Sequence, residues 1–261
     1  MFDALYIGAM GMRAQQSQVD TIANNVANLN TVGFRRSEVS FSAVTAAMDP
    51  TSVDPVQQAS MAAQLVRGAG TLAHISMSAD GGQLKQTSAP LDLAIDGAGF
   101  FEVVRADGSS AYTRAGNLQL NADGTLAAAD GTPLAGHLQF SPDTQSIQIA
   151  ADGTVTAVVG GQTQPVQVGR IELASFTNPA GLQAIGSNLF VATAESGEAR
   201  LGPASQEGRG AIRQGYLESS NVQLTDELSS MLVAQRSFEL DGRVIQAADQ
   251  MMAITNSLYR T

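Results

Sequence analysis

LESSNVQ LTDELSS MLVAQRS FELDGRV IQAADQM MAITNSL Y is residues 217–259 written seven to a group, and every group opens on an apolar residue. Leu217, Leu224, Met231, Phe238, Ile245, Met252 and Tyr259 therefore recur without a break. A second stripe, Leu240, Val244, Ala247, Met251, Ile254 and Leu258, runs beside the first at steps of three and four. Apolar side chains at that spacing share a helix face and need another helix to cover them. Two adjacent stripes make a broader arc than one partner helix covers, which favours an assembly contact over a purely internal core helix. The helix is predicted to start between Ser220 and Asp226. Ser220-Asn221-Val222-Gln223 has capping-box spacing there, and Asp226 and Glu227 suit the positive end of the helix dipole.

The N-terminus carries a shorter version of the pattern. Leu5, Met12, Val19 and Val26 stand seven apart, with Ile22 and Leu29 in the companion position. A helix is predicted from residue 3, capped by Asp3, to about residue 29. There Asn28-Leu29-Asn30-Thr31-Val32-Gly33 supplies a polar stop and a glycine for a left-handed backbone position. At ~1.5 Å per residue such a helix is about 40 Å long. Alone it is marginal in water, so a partner is expected. Asn24, Asn25 and Asn28 sit inside it, although side-chain amides are poor helix formers. Either they face solvent near a fraying end, or they hydrogen-bond a neighbouring subunit and fix its register.

Between the helices the punctuation is Asp-Gly, at 80-81, 96-97, 107-108, 123-124, 130-131 and 152-153. Asp-Gly between short alternating runs favours type I′ hairpin turns, in which both central residues have positive φ. Strands are predicted at 91–95, 99–104, 117–120, 146–149, 154–159 and 169–173, and a surface loop over 196–210. The expected fold is α+β: long N- and C-terminal helices forming a coiled-coil domain, with a central antiparallel β-domain. Its expected parts are the N-terminal helix (1–30), a linking segment with extended structure (31–75), the β-domain (76–215) and the C-terminal helix (216–261). Asp49-Pro50 and Asp54-Pro55 punctuate the linking segment, which reads as a loop up to about residue 70.

Composition removes several functions. A net charge of -10, from 14 Lys and Arg against 24 Asp and Glu, repels phosphate backbones, so no nucleic-acid partner is expected. Cysteine is absent, which excludes disulfides, thiolate nucleophiles and cysteine zinc sites. No apolar run reaches the ~18 residues of a membrane span, and no membrane insertion is expected. The N-terminus has no basic region followed by an apolar core, so export without a cleaved signal peptide, or residence in the cytoplasm, is expected. His74 and His137 have no partner at ligand spacing, and the Asp-Gly pairs lack the spacing of calcium loops. Gly97-Ala98-Gly99 lacks the third glycine of a dinucleotide fingerprint. No catalytic residue, cofactor or metal is expected.

Six blocks then become recognisable. Residues 22–36, IANNVANLNTVGFRR, closely resemble the N-terminal signature of bacterial flagellar rod and hook proteins. The resemblance continues through 93–101 (LAIDGAGFF) and 112–116 (YTRAG), resumes at 181–190 (GLQAIGSNLF), and closes with 215–222 (GYLESSNV) and 234–239 (AQRSFE). Length and the Leu217-Glu218-Ser219-Ser220-Asn221-Val222 junction look most like distal rod members, with proximal rod members as the nearest competitor. The resemblance implies terminal helices paired in an inner coiled-coil layer, an outer β-domain, and export unfolded through the flagellum-specific type III apparatus. It implies a self-assembling helical tube in the basal body that carries motor torque across the periplasm. Implied partners are further copies of the chain, proximal rod proteins, the hook protein, the surrounding periplasmic and outer-membrane rings, and the flagellar export apparatus. On the residue reading, the assembly interface is Leu5, Met12, Val19, Ile22, Asn24, Asn25, Val26, Asn28, Leu224, Met231, Phe238, Ile245, Met252 and Tyr259. The competing class is a secreted β-domain that binds or cuts envelope polymer and uses the helices for oligomerisation. Such a protein needs a carboxylate or histidine cluster that this sequence does not assemble.

Overall fold

Four of the six Asp-Gly pairs are followed by Ser or Thr, and those four make the hairpins: Asp107-Gly108-Ser109, Asp123-Gly124-Thr125, Asp130-Gly131-Thr132 and Asp152-Gly153-Thr154. In each, the glycine N–H donates three residues back, as from Gly108 to Arg105 O at 2.8 Å and from Gly153 to Ala150 O at 2.9 Å. The glycines have positive φ and the aspartates do not. The turns are therefore type I turns closed by a left-handed glycine, not the expected type I′. The aspartate is free to bend back instead: Oδ1 of Asp107, Asp130 and Asp152 accepts the N–H of Ser109, Thr132 and Thr154 at 2.9, 2.9 and 3.0 Å. Asp80-Gly81-Gly82 and Asp96-Gly97-Ala98 lack that hydroxyl residue and turn no hairpin.

The computed structural model describes residues 2–43, 71–136, 138–161 and 164–258. Within these the chain is α+β, with two long terminal helices and antiparallel sheets between them. The predicted loop around 50–70, His137 and Tyr259 lie outside the described residues. The chain divides into two compact units, one formed by 27–36 and 77–222, the other by 1–26, 37–76 and 223–261.

The larger unit is built on six strands: β5 (Phe100–Val104), β6 (Ser110–Thr113), β12 (Glu172–Ser175), β13 (Gln183–Gly186), β14 (Leu189–Val191) and β15 (Arg200–Pro203). Their order is β13-β14-β6-β5-β12-β15. Successive strand residues point to opposite faces, and Phe100 and Phe101 show the result. Phe101 joins Leu93, Val103, Leu126 and Leu173 in the main core. Phe100 joins Tyr112, Leu182 and Phe190 in a second cluster, with edge-on ring contacts to Phe176 at 5.7 Å and Phe190 at 6.1 Å. A three-stranded sheet of β9 (Thr144–Ile149), β10 (Thr154–Val159) and β11 (Val166–Arg170) closes over the main core. The single strand expected over 169–173 is two strands in different sheets. Ile171 sits between them and donates its N–H to Gly153 O at 2.8 Å. Short pairs complete the unit: β16 (Ala211–Gln214) with β4 (Leu93–Asp96), β17 (Tyr216–Glu218) with β3 (Leu84–Gln86), and β7 (Gln119–Leu120) with β8 (Leu126–Ala127).

The smaller unit holds α1 (Phe2–Ala27), α2 (Leu224–Leu258) and a ribbon of β1 (Ser37–Ala43) with β2 (Thr71–Met77). α1 stops two residues before the expected end, and Leu29 lies in the turn that follows. Ser220 does not close a capping box. Its Oγ accepts the Val222 N–H at 3.3 Å, while Gln223 O takes the N–H of Asp226 and Glu227 at 3.2 and 3.1 Å.

Candidate assembly surface and a buried ionic cluster

The helix faces that touch inside the smaller unit are lined by small and polar residues. α1 buries Ala14, Thr21, Ile22 and Asn25, and α2 buries Glu227, Ala234 and Ala248. A Cβ on Gly8 would lie 2.8 Å from Ile245 Cγ1, and one on Gly11 would lie 3.0 Å from Asp241 Oδ2. Near the other end of α1, Asn25 Nδ2 donates to Glu227 Oε2 at 3.3 Å. These contacts run in opposite chain directions, so the helices approach each other antiparallel. The Asn25 side chain also spans β1, donating to Ser37 O and accepting from Ser37 N, both at 2.9 Å. Its amide thus works within the subunit. Asn24 is exposed, and Asn28 Oδ1 accepts from Thr31 Oγ1 at 3.0 Å.

The expected interface residues separate into two sets. Ile22 is buried, and Met12, Val19, Val26, Met231, Ile245 and Met252 are half-buried. Leu224 and Phe238 are exposed at 43% and 42%. The side chain of Leu5, like Tyr259, lies outside the described residues. The second stripe faces outward more fully: Leu240 is 59% and Val244 55% exposed, with Leu228, Leu232, Val233, Met251 and Ile254 exposed along the same helix. Together these side chains leave a long apolar band uncovered on one element.

The sequence reading assigned no role to three charged residues that prove to be the most deeply buried ionic group described here. Glu218, 2% exposed, sits between Arg35 and Arg114, which are 6% and 3% exposed. Oε1 meets Arg35 Nη2 and Oε2 meets Arg114 Nη2, both at 2.9 Å, and Arg114 Nε also donates to Oε2 at 2.9 Å. Other guanidinium donors reach backbone, Arg114 Nη1 to Gly97 O and Gly99 O at 2.9 and 2.6 Å, and Arg35 Nη1 to Ala79 O at 3.1 Å and to Asp80 O, while Arg35 Nε is buried without a hydrogen-bond partner. Burial pushes Arg114 down to about 10, with Glu218 pulling the other way and Arg35 adding to the fall. Burial also lowers Arg35, opposed by Glu218 and Asp80. Both stay charged at neutral pH. Gly33 closes the cluster: at φ +66° its N–H donates to Glu218 O at 2.7 Å, and a Cβ there would lie 2.5 Å from the Arg114 carbonyl. Asn188 Nδ2 donates to Val32 O at 2.9 Å, and Thr113 Oγ1 to Asn188 O at 2.9 Å.

Residues from five separate motif blocks, 22–36, 93–101, 112–116, 181–190 and 215–222, therefore meet in one place. A usable signal existed. With 15% charged residues overall, Arg114 and Glu218 stand out as the one charged residue of 112–116 and of 215–222, and Arg35 and Arg36 as the charged pair that ends 22–36. Among the described residues no group of His, Asp and Glu side chains is arranged to hold a metal ion.

Three family models match the chain: "Flagella basal body rod protein" at residues 5–35, "Flagellar hook protein FlgE/F/G D1 domain" at 94–157, and "Flagellar basal body rod FlgEFG protein C-terminal" at 213–258. Among curated relatives, the flagellar basal-body rod protein FlgG of Borreliella burgdorferi is 37% identical over the whole of both chains. That of Caulobacter vibrioides is 38% identical over 98% of each, and that of Bacillus subtilis 37% identical over the whole of both. Among solved structures, the Helicobacter pylori flagellar hook protein FlgE2 is similar at 19% identity and a TM-score of 0.25, over 70% of this chain and 43% of that one.

Proposed function

The chain belongs to the flagellar basal-body rod protein family, and from that premise we propose that it is a distal-rod subunit that stacks into a helical tube and carries motor torque to the hook. The observation that carries the assembly reading is the outward-facing apolar band on α2, headed by Leu240 and Val244. Burying such a band releases roughly 25 cal/mol per Å2 of apolar surface, and the gain repeats in every subunit. In this reading α1 and α2 supply the coiled-coil layer of the tube. Contact between unlike faces of successive copies grows an open filament instead of closing a ring. The proposed partners are other copies of the chain, the proximal rod proteins below, the hook protein above, and the rings around the shaft. The proposed route is the flagellar export apparatus, with the assembled rod crossing the periplasm.

The test is complementation of a deletion strain with Leu240→Asp, Val244→Asp double variants. The expected result is exported, folded subunit with no rod beyond the proximal segment and no swimming. Normal swimming would remove the α2 band from the interface.

A further inference from the structure

Asp80-Gly81 differs from every other Asp-Gly pair of the chain. In the four hairpin pairs the glycine N–H is already donated three residues back, and the carboxylates of Asp107, Asp130 and Asp152 are engaged as well. The carboxylate of Asp96 is held by Arg213, whose Nε and Nη2 reach Oδ2 at 2.9 and 2.8 Å. Asp241-Gly242 lies inside α2, where helical bonding takes the amide. Asp80-Gly81 stands instead in the irregular segment 78–83, with both residues exposed. The Asp80 carboxylate lies in the field of Arg35, yet among the described residues neither it nor the Gly81 N–H makes a hydrogen bond. Glycine is not demanded there by the backbone. Gly97, Gly108, Gly124, Gly131 and Gly153 all have positive φ, and Gly81 does not. A Cβ on Gly81 would meet Glu218 Oε1 at 3.6 Å and Arg35 Nη1 at 3.8 Å, ordinary contact.

We propose that Asp80-Gly81 is a site of spontaneous backbone isomerisation to isoaspartate, left open by the fold and activated through its peptide oxygen. The proposal is independent of the rod reading. In the first step the deprotonated Gly81 nitrogen attacks Cγ of the protonated Asp80 carboxyl. The N–Cγ bond forms, the Cγ–OH bond breaks, and water leaves behind a five-membered imide. In the second step water adds to the former peptide carbon of Asp80 and its bond to nitrogen breaks. Nitrogen regains its proton, the chain runs on through Cγ, and the α-carboxylate is freed without change of mass. Both steps place negative charge on the same atom, Asp80 O. That oxygen accepts from Asn221 Nδ2 at 2.9 Å and from Arg35 Nη1. Donors fixed where charge develops lower the barrier to forming it. The product then sets a carboxylate on these two donors, and hydrogen bonds to an ionised acceptor are the stronger ones. It also brings a second anion to a group in which Arg35 and Arg114 share Glu218.

The experiment ages the purified full-length chain for weeks in neutral buffer, folded and in urea. Isoaspartate is read at each Asp-Gly pair by peptide mapping with electron-transfer fragmentation, which separates the two isomers. Its total is read by methyl transfer from an isoaspartyl methyltransferase. The expected result is isoaspartate at Asp80 several-fold above every other pair in the folded chain, with the pairs drawing level in urea. Gly81→Ala, which the fold accommodates, should remove most of the methyl acceptance. Asn221→Ala takes away one donor to Asp80 O and should slow isomerisation at Asp80 several-fold, leaving the other pairs as they were. Isoaspartate at Asp80 no higher than at Asp123 in the folded chain would overturn the proposal. So would a lead of Asp80 that persists undiminished in urea, or an Asn221→Ala chain that isomerises at Asp80 as fast as wild type. If Asn221→Ala does not fold, the comparison of pairs within the wild-type chain decides.

Discussion

At the scale of single residues, the chain places its costliest chemistry in the Glu218 cluster. Removing one partner of a buried ion pair leaves uncompensated charge, at a cost of about 3–5 kcal/mol. Glu218→Ala strands two arginines and is expected to lose stability in that range in urea unfolding of the whole chain; a loss comparable to a surface substitution would contradict the burial. Arg114→Lys is expected to destabilise as well, because an ammonium cannot serve Glu218, Gly97 and Gly99 with the fixed fork of a guanidinium. The hairpin aspartates predict a pH effect of the opposite kind. Hydrogen bonds from the Ser109 hydroxyl and N–H hold Asp107 below the usual carboxylate range, and those from the Thr154 N–H and hydroxyl do the same for Asp152. With the folded value depressed, the stabilisation is complete above the unfolded value of about 4 and fades as pH falls through the folded one. Carboxyl chemical shifts of both residues should titrate below those of a free aspartate, and Asp107→Asn should flatten its share of the acid dependence of melting. At this scale the sequence was partly legible. Asp-Gly marked the turns, but the hydroxyl residue after it decided which pairs fold back, and that third position went unread.

At the scale of elements, periodicity located both helices and could not orient them. Two stripes on α2 satisfied the same spacing, and apolar character alone does not say which is covered inside the subunit. The small residues decide it. Gly8, Gly11, Ala234 and Ala248 let backbones approach, and helix separation follows the side chains at the contact. The seven-residue stripe is therefore turned partly inward at Met231, Ile245 and Met252, while Leu240 and Val244 face out. Mutation separates the two roles. Leu240→Asp should change helical circular dichroism and melting by no more than about 0.5 kcal/mol, the usual range for a surface position. Ile245→Asp places a carboxylate against Gly8 and near Asp241, so it should lower the helical melting transition as well as block assembly. Equal melting for the two variants would argue against this division of the faces.

At the scale of the whole molecule, fold class followed from runs of heptads at the ends and turn signals between them. Membership of the compact units did not. Residues 27–36 belong with the β-sheets although they continue a helical segment, and 37–76 belong with the helices although they contain strands. What decides this is pairing beyond the local sequence: Gly33 donates its N–H to Glu218 O and Asn188 its side-chain amide to Val32 O, while Ser37 is bonded through both backbone groups to the Asn25 side chain. No local pattern in a single sequence encodes such partners. The motif blocks that carried the family resemblance were read one at a time, and their convergence on Glu218 emerged in three dimensions. The measurement that tests the account most directly is electron microscopy of basal bodies from a strain with this gene deleted in frame. The account predicts short rods that reach only the inner part of the envelope and carry no hook. Complete hook–basal bodies in that strain would contradict it.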